Sequence, residues 1–485
     1  MTFNSWEFLL FYPIVMALYF LLPKKARWPM LLIASYYFYM CYQAELVFLI
    51  FGTTLVSWLA SKVIERSERR WVKRTMLTLT LAVCLGVLFF YKYFNFLAES
   101  AVGIIRLFGG EVGSFELSLL LPVGISFYTF QTLSYVIDVY RGNIKTEKNF
   151  FFYALFVSFF PQLVAGPIER PENLMPQLKE SHPWSGENAI AGAKLMIVGF
   201  FKKICVADLI SVYVNSVYNS PEGAGALGII IATCLFAVQI YCDFSGYTDI
   251  ATGCARVMGI RLMKNFDHPY SAATVKEFWS RWHISLSSWF KDYLYIPLGG
   301  NRRGRARQMI NVMIVFLVSG LWHGAAWTFV IWGALHGLYQ IIGTLTYKAR
   351  ERGLSRIGLT GESLAVKTVR RVNTFVLVTF AWLFFRANST SDAFLLLGRL
   401  FTEWSVSPAD TLAAMGLGTV EILMTVFSVL TLIMLDRLVT YEAKDDSSDL
   451  VIRRGGFAVY VWAIILCWAL LLSKDMTSTF IYFQF

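Results

Sequence analysis

Two histidines stand in strongly apolar parts of the chain. His323 lies in the motif SGLWHGAAW at residues 319–327, and His283 lies in an aromatic segment at residues 276–300. An imidazole can take a proton from a hydroxyl near neutral pH. Polar side chains in an apolar, membrane-like setting are costly, and this makes them functional candidates. The sequence therefore indicates acid–base chemistry away from bulk water. For both residues the alternative is a packing role.

The apolar run from Met309 to Gly343, which contains His323, predicts two helices with a break between them. One helix of this length would measure about 50 Å, too long for one membrane crossing and too short for two. Gly320 and Gly324 mark the break, so we predict helices at about 309–319 and 327–346. The first covers about 16 Å, half the hydrocarbon depth, which places His323 near the midplane. Unwound backbone there must be buried in protein or line a cavity.

The segment around His283 predicts one amphipathic helix. Glu277 and Arg281 are four residues apart and can pair on a second face. An interfacial helix with an aromatic belt is the alternative to a functional role. A basic cluster follows, which indicates either a cytoplasmic phosphate-binding patch or a topology signal. The aromatic face would comprise Trp279, Trp282, His283, Leu286, Trp289, Phe290 and Tyr293, and the basic cluster Arg302, Arg303, Arg305 and Arg307.

Other polar residues in apolar stretches are weaker candidates for a functional role. Asp243, Ser245 and Asp249 are expected at the end of a span. The two carboxylates are six residues apart and so do not share a helix face, and we predict no metal site there. His336 follows His323 by thirteen residues and could equally be a buried packing residue.

The elements that must position these residues are membrane spans. Of the 485 residues, 56% are hydrophobic and 15% are charged, too few charges for a water-soluble surface at this length. The net charge of +11 fits basic cytoplasmic loops better than nucleic-acid binding. The basic loops at 23–27 and 62–74 place the N-terminus outside the cytoplasm. We predict about thirteen segments, at 8–22, 29–43, 45–60, 76–97, 116–138, 150–165, 187–204, 226–247, 309–319, 327–346, 372–387, 420–436 and 456–473, with a surface helix at 391–403.

These motifs together resemble the membrane-bound O-acyltransferases, in particular the bacterial branch that acetylates alginate, peptidoglycan and cellulose. The resemblance rests on RWHISLSSWFKDYLYIPLGGNR, SGLWHGAAW, FPQLVAGPIERP, DFSGYTDIA and the start MTFNSWEFLLFYPIV. It implies an all-α polytopic membrane protein, a ring of tilted helices around a central funnel. It also implies one domain over residues 1–485, with a core at about 116–345 and peripheral helices at about 372–485. The family's catalytic histidine matches His323, and its second polar position matches His283.

The resemblance implies an O-acetyltransferase of the bacterial inner membrane. It would pass an acetyl group from a cytoplasmic thioester, acetyl-CoA, to an extracytoplasmic partner protein, which then modifies a polysaccharide such as alginate. Peptidoglycan, cellulose and teichoic acid are alternative polymers. No permanently bound cofactor and no metal are expected, and no nucleic-acid partner. Candidate donor contacts are Trp322, Trp282, Asp292, Tyr293, Arg302, Arg303 and Arg305.

Three other classes compete with this interpretation. A transporter also uses broken helices and midplane polar groups, but usually contains a structural repeat, and we find none in the sequence. A membrane glycosyltransferase would need paired metal-binding carboxylates. A scaffold without catalysis of its own is separated from an enzyme by substitution of His323.

Overall fold

The structure is a computed structural model, and it describes residues 1–110, 113, 117, 119–361, 363–444, 447–452, 460–465, 467, 480 and 481. Helices dominate this part of the chain, as the composition predicts. No strand was predicted from the sequence, yet two strands pair as an antiparallel hairpin, β1 (Val439–Lys444) and β2 (Ser447–Ile452). The span expected at 456–473 falls mostly outside the described residues.

The chain divides into two compact units, and the expectation of a single domain remains a prediction. The first unit contains residues 1–196 and 247–263. A π-helical stretch, Phe89–Tyr93, joins its fourth and fifth helices. Its helices are α1 (Trp6–Leu21), α2 (Lys24–Met40), α3 (Val47–Arg66), α4 (Arg70–Leu88), α5 (Phe94–Leu107), α6 (Ile125–Arg141), α7 (Phe150–Ser158), α8 (Pro171–Lys179) and most of α9 (Gly186–Phe200).

The second unit contains residues 197–246 and 264–481. It includes π-helical stretches at Phe201–Asp208 and Lys291–Tyr295. Its helices are α10 (Leu209–Tyr218), most of α11 (Ala226–Val257), α12 (Val275–Arg281), α13 (Ile284–Phe290), α14 (Arg305–His323), α15 (Trp327–Arg356), α16 (Leu364–Arg386), α17 (Thr390–Thr402), α18 (Pro408–Ala414) and α19 (Thr419–Leu438).

Within the described residues, five helical stretches are long and apolar enough to cross a membrane: Ala44–Arg66, Arg70–Leu107, α11, α15 and α16. A sixth results if α18 and α19, bent by 80°, form one broken span. This is fewer than the thirteen predicted segments, because several apolar stretches form short helices. For example, α7 has nine residues where a span was expected at 150–165. Nine helical residues measure about 14 Å, half a bilayer core.

The break predicted between Met309 and Gly343 is confirmed, but not at Gly320. Helix α14 has 19 residues and continues to His323, and residues 324–326 connect it to α15. A helix of that length measures about 28 Å. The predicted helix at 309–319 was therefore too short, and its length does not support a midplane position for His323. Gly320 instead permits close packing. A β-carbon on Gly320 would lie 2.3 Å from the Phe329 carbonyl oxygen, and one on Gly333 would lie 2.3 Å from that of Phe316.

Asp243, Ser245 and Asp249 lie inside α11, not at the end of a span as expected. Asp243 is buried and pairs with the ammonium group of Lys203 at 2.7 Å. A buried carboxylate is tolerated within a helix when a cation and hydrogen bonds compensate it. The pairing partner is distant in sequence, so the local pattern of α11 could not indicate it.

Candidate active site

His323 is the last residue of α14 and its side chain is 3% exposed. The helix ends there because Gly324 adopts an extended conformation, and a β-carbon on Gly324 would lie 2.0 Å from the Phe329 ring. Aromatic rings surround the imidazole. Their centroids lie 5.0 Å away for Trp322, 5.0 Å for Trp332 and 5.5 Å for Phe385. The glycine and the short connection thus hold His323 in an apolar shell at the turn between two helices.

His283 does not lie on a continuous helical face, contrary to the prediction of one helix through residues 276–300. α12 ends at Arg281 and α13 begins at Ile284, and His283 between them has a left-handed backbone with φ of +44°. Non-glycine residues seldom adopt this conformation, and where they do the surrounding structure must impose it. The predicted pairing of Glu277 with Arg281 is confirmed, at 2.7 Å.

A second chain segment imposes the break at His283. The Ile284 N–H donates to the Asn265 carbonyl oxygen at 3.0 Å, and the Asp267 N–H donates to the Arg281 carbonyl oxygen at 2.9 Å. The side chain of Asn265 also accepts hydrogen bonds from Ser285, so a buried amide anchors the first turn of α13. These contacts hold the His283 side chain, which is fully buried, toward the interior.

The two predicted histidines come together. The rings of His283 and His323, forty positions apart in sequence (323 minus 283), have centroids 6.1 Å apart and an interplanar angle of 55°. Phe244 lies against His283 at 4.7 Å, and Trp322 lies 5.7 Å from it. A single oxygen atom can accept or donate hydrogen bonds of about 2.8 Å to two groups at such a separation. The two imidazoles are therefore close enough to hydrogen-bond to the same reacting hydroxyl or carbonyl oxygen.

A cavity of about 600 Å³ approaches this pair. It is bounded by α12, α13, the stretch Lys291–Tyr295, α14 and α15. Ser319 lines it, and residues four apart on a helix, such as Ser319 and His323, lie about 6 Å from each other. His323 itself is not part of the lining. Trp279 and Phe316 also line it, and Trp332 lies 5.7 Å from Trp279 and in contact with His323. Along this path two aromatic rings, Trp279 and Trp332, stand between the cavity and the histidine.

Comparison with known proteins identifies the family. Residues 143–353, which contain both histidines and the whole cavity lining, match the model of the membrane-bound O-acyltransferase family. The probable alginate O-acetylase AlgI of Pseudomonas putida is 35% identical over the full length of both chains. This chain belongs to the membrane-bound O-acyltransferases.

Two further relatives agree with that membership. The probable alginate O-acetylase AlgI of Pseudomonas aeruginosa is 37% identical over 86% of this chain and 78% of its own. The peptidoglycan O-acetyltransferase of Helicobacter pylori is 33% identical over 80% of this chain and 77% of its own. The protein is therefore a polytopic membrane O-acyltransferase.

The other predicted donor contacts of this acyltransferase take different positions. Trp322 is buried against both histidines, and Trp282 is buried against Phe278 and Trp382. Asp292 and Tyr293 are half-buried and lie outside the cavity lining, although Lys291 and Tyr295 of the same stretch line it. Arg302, Arg303 and Arg305 are exposed and do not line it either, whereas Asn301 and Gln308 beside them do.

The sequence did not predict the roles of several residues in the site. Phe244 lies in the motif chosen for its carboxylates, yet the phenylalanine is the residue that contacts His283. Asn265 and Trp332 carry no motif of their own. His336 is buried, as the packing interpretation expects, but it also makes a specific contact. Its Nδ1 accepts a hydrogen bond from Trp279 Nε1 at 3.1 Å. These relationships link separate segments, and one sequence contains no signal for them.

Proposed function

We propose that this enzyme transfers an acetyl group from acetyl-CoA on the cytoplasmic side to an acceptor on the outer side of the inner membrane, for O-acetylation of a polysaccharide. Alginate is the first candidate polymer, because the P. putida relative that matches over the full length is named for alginate. The observation that carries the proposal is the buried pair of His283 and His323 near a cavity whose lining includes basic and amide side chains.

The chemistry assigns His323 as general base. It takes the proton of the acceptor hydroxyl as that oxygen attacks the thioester carbonyl carbon, and it returns the proton to the departing thiolate. An alcohol is a poor nucleophile at neutral pH, and a positioned base accelerates its attack about 10²–10⁴-fold. His283 orients the acyl donor or stabilises the negative charge that develops on the carbonyl oxygen.

The donor would enter through the cavity. Lys276 and Lys291 contribute to its lining, and the exposed Arg302, Arg303 and Arg305 follow nearby in sequence. These cations suit the phosphates of coenzyme A. The cavity volume of about 600 Å³ is within the range of small-molecule sites.

The acceptor would be a hydroxyl or carrier group on an extracytoplasmic partner protein, and it would approach from the outer side of the membrane. Basic residues lie at the start of α2 (Lys24, Lys25 and Arg27) and where α3 meets α4 (Lys62, Arg66, Arg69, Arg70, Lys73 and Arg74). They support a cytoplasmic location for these helix ends and an external N-terminus.

The direct test is transfer of labelled acetyl from acetyl-CoA by the purified protein. The acceptor would be alginate with the partner protein, and peptidoglycan would be run in parallel. We expect transfer by the native protein and a loss of at least about 10²-fold in His323→Gln. His323→Gln protein that folds and transfers at the native rate would refute the mechanism. Transfer to peptidoglycan alone would move the proposal to that polymer.

His283 calls for a variant that keeps its backbone conformation. Asparagine tolerates the left-handed region better than most residues, so His283→Asn removes the imidazole with little backbone strain. His268 provides the matched control, because it also has a left-handed backbone, with φ of +48°, but its side chain is exposed. We expect His283→Asn to lose activity and His268→Asn to retain it. Equal activity in the two variants would remove His283 from the mechanism.

A further inference from the structure

Trp332 and His336 present two buried hydrogen-bond donors next to the histidine pair. They are four residues apart on α15, so they lie on the same face of the helix, and both side chains are 0% exposed. Their ring centroids are 5.0 Å apart. Neither Trp332 Nε1 nor His336 Nε2 has a hydrogen-bond partner within the part of the chain that the structure describes.

The contact between Trp279 and His336 decides which nitrogen of His336 is a donor. Trp279 Nε1–H donates to His336 Nδ1 at 3.1 Å, so the neutral ring carries its own proton on Nε2. The Phe278 and Phe316 rings lie nearly parallel to the His336 ring, with centroids 6.3 and 6.1 Å away. The indole and the imidazole therefore each offer one N–H group.

Buried donors that lack an acceptor are costly, and native proteins seldom keep two of them on adjacent turns. Phenylalanine or leucine would also pack in an apolar interior and would carry no such penalty. The two N–H groups therefore indicate a ligand atom that accepts hydrogen bonds when it is bound.

The position of the two donors indicates which atom this is. The centroid of the Trp332 ring lies 5.0 Å from that of His323 and 5.0 Å from that of His336. Trp279, which lines the cavity, contacts both Trp332 and His336, and Phe316, which also lines it, contacts His336. Trp332 thus lies between the cavity lining and the candidate base, and His336 lies beside Trp332 against the same lining.

We propose, resting on the function proposed above, that Trp332 Nε1–H and His336 Nε2–H bind the carbonyl oxygen of the acyl thioester. As the acceptor hydroxyl forms its bond to the carbonyl carbon, its proton passes to His323, and the carbonyl oxygen becomes an oxyanion held by the two N–H groups. When the carbon–sulfur bond breaks, the C=O double bond re-forms, and the thiolate takes the proton from His323. His283 is then left to orient the reactants.

Three variants test the two donors. Trp332→Phe removes only the indole N–H and part of the ring. His336→Asn keeps an acceptor near the Nδ1 position for Trp279 but loses the Nε2 donor, whereas His336→Gln can place an amide donor near the Nε2 position. We expect kcat for acetyl transfer to fall about 10²–10³-fold in Trp332→Phe and in His336→Asn. The KM for acetyl-CoA should change much less, and His336→Gln should retain more activity than His336→Asn.

Trp382→Phe is the packing control, because Trp382 stacks on Trp332 from α16 at 5.6 Å and lies farther from His336. We expect less than a threefold loss of kcat in this variant. A loss equal to that of Trp332→Phe would mean that ring packing alone explains the effect, and it would overturn the inference.

An infrared measurement tests the contact without turnover. In His323→Gln protein bound to acetyl-CoA with a ¹³C-labelled carbonyl, the two donors should lower the C=O stretching frequency relative to the free thioester. Adding Trp332→Phe should shift the frequency back upward, and an unchanged frequency would overturn the inference. If the native protein transfers acetyl while Trp332→Phe and His336→Asn keep native rates, only this inference fails. If the native protein transfers no acyl group from any thioester, the proposed function fails as well.

Discussion

Asn265 and Ser285 are joined by two hydrogen bonds. Asn265 Oδ1 accepts from the Ser285 hydroxyl at 2.8 Å and from its backbone N–H at 3.3 Å, and both residues are fully buried. The backbone carbonyl of Asn265 accepts from the Ile284 N–H as well. His283 immediately precedes Ile284 and Ser285 and has the left-handed backbone. Asn265 is thus a positioning residue for His283.

Replacing Asn265 by alanine should disturb the site. Asn265→Ala leaves the Ser285 groups buried without their acceptor, so we expect a loss of about 1–3 kcal/mol in unfolding free energy. We also expect a fall in kcat per folded molecule, because the His283 imidazole is no longer held in place. Thermal unfolding in detergent and the acetyl-transfer assay measure the two effects. Ser285→Ala removes only the hydroxyl and should have a smaller effect on both. Native kcat in Asn265→Ala would show that the amide does not position His283.

Gly320 and Gly333 should not tolerate a side chain. In either glycine a β-carbon would meet a backbone carbonyl oxygen of the opposite helix at 2.3 Å, so α14 and α15 would have to separate. We expect Gly320→Ala and Gly333→Ala to lower the unfolding free energy by about 1–3 kcal/mol or more, and to reduce activity because Trp332 moves relative to His323.

Gly343, also on α15, is the matched control for these two variants, since no neighbouring atom lies within 4 Å of its β-carbon position. Alanine there should be neutral or stabilising by about 0.5–1 kcal/mol through helix propensity. Melting temperatures of the three variants in the same detergent make the comparison. Equal melting temperatures would contradict the close contact of the two helices.

The cavity makes a prediction about donor binding. Lys276 and Lys291 line it, whereas Arg302, Arg303 and Arg305 do not. We therefore expect Lys276→Glu and Lys291→Glu to raise the KM for acetyl-CoA about tenfold, equivalent to about 1.4 kcal/mol of binding free energy. The effect should weaken at high salt, because partly exposed charges are screened. Arg356→Glu, at an exposed position on α15 twelve residues beyond the lining residue Thr344, should leave the KM unchanged.

Replacing the three arginines by alanine tests the alternative entry route. If these variants raise the KM and the two lysine variants do not, the donor phosphates bind at the arginine patch and not at the cavity. Initial-rate kinetics over a range of acetyl-CoA concentrations distinguish the two results.

Glu169 should make stability depend on pH. This carboxyl lies in the connection between α7 and α8, outside the candidate spans, and burial raises its pKa to about 7 despite hydrogen bonds from the Met263 N–H and the Asn173 amide. The unfolded value is about 4.3. Because the folded pKa is higher, the stabilising contribution is fully present below about pH 4.3 and is lost as the pH rises through about 7.

We therefore expect the unfolding free energy to fall by up to roughly 3 kcal/mol between about pH 5 and pH 8. In Glu169→Gln this dependence should largely disappear, and in the exposed Glu172→Gln it should persist. Thermal unfolding of the three proteins in a pH series provides the measurement. A native melting temperature that increases over this range would contradict the raised pKa.

The sequence predicted some membrane spans and one helix break correctly, and it predicted others wrongly. Span positions followed from hydropathy where the helices are long, as for α11 and α16, but not for α7, because apolar composition alone does not determine whether a stretch crosses a membrane or packs inside the protein. The break after α14 was predicted from length and glycine content. Its location was wrong because Gly320 serves helix packing, and a glycine in a sequence does not reveal which of the two roles it has.

By itself, the sequence determined that this is a membrane protein, that two histidines stand in apolar segments and that its motifs resemble an acyltransferase family. Composition and short motifs are local properties, so they can be read from one chain. Only the tertiary structure decided that the two imidazoles lie 6.1 Å apart, that Asn265 interrupts the helix at His283, and that Trp279 lines the cavity. These features arise where segments distant in sequence pack together, and their free energies depend on partners that no local pattern specifies.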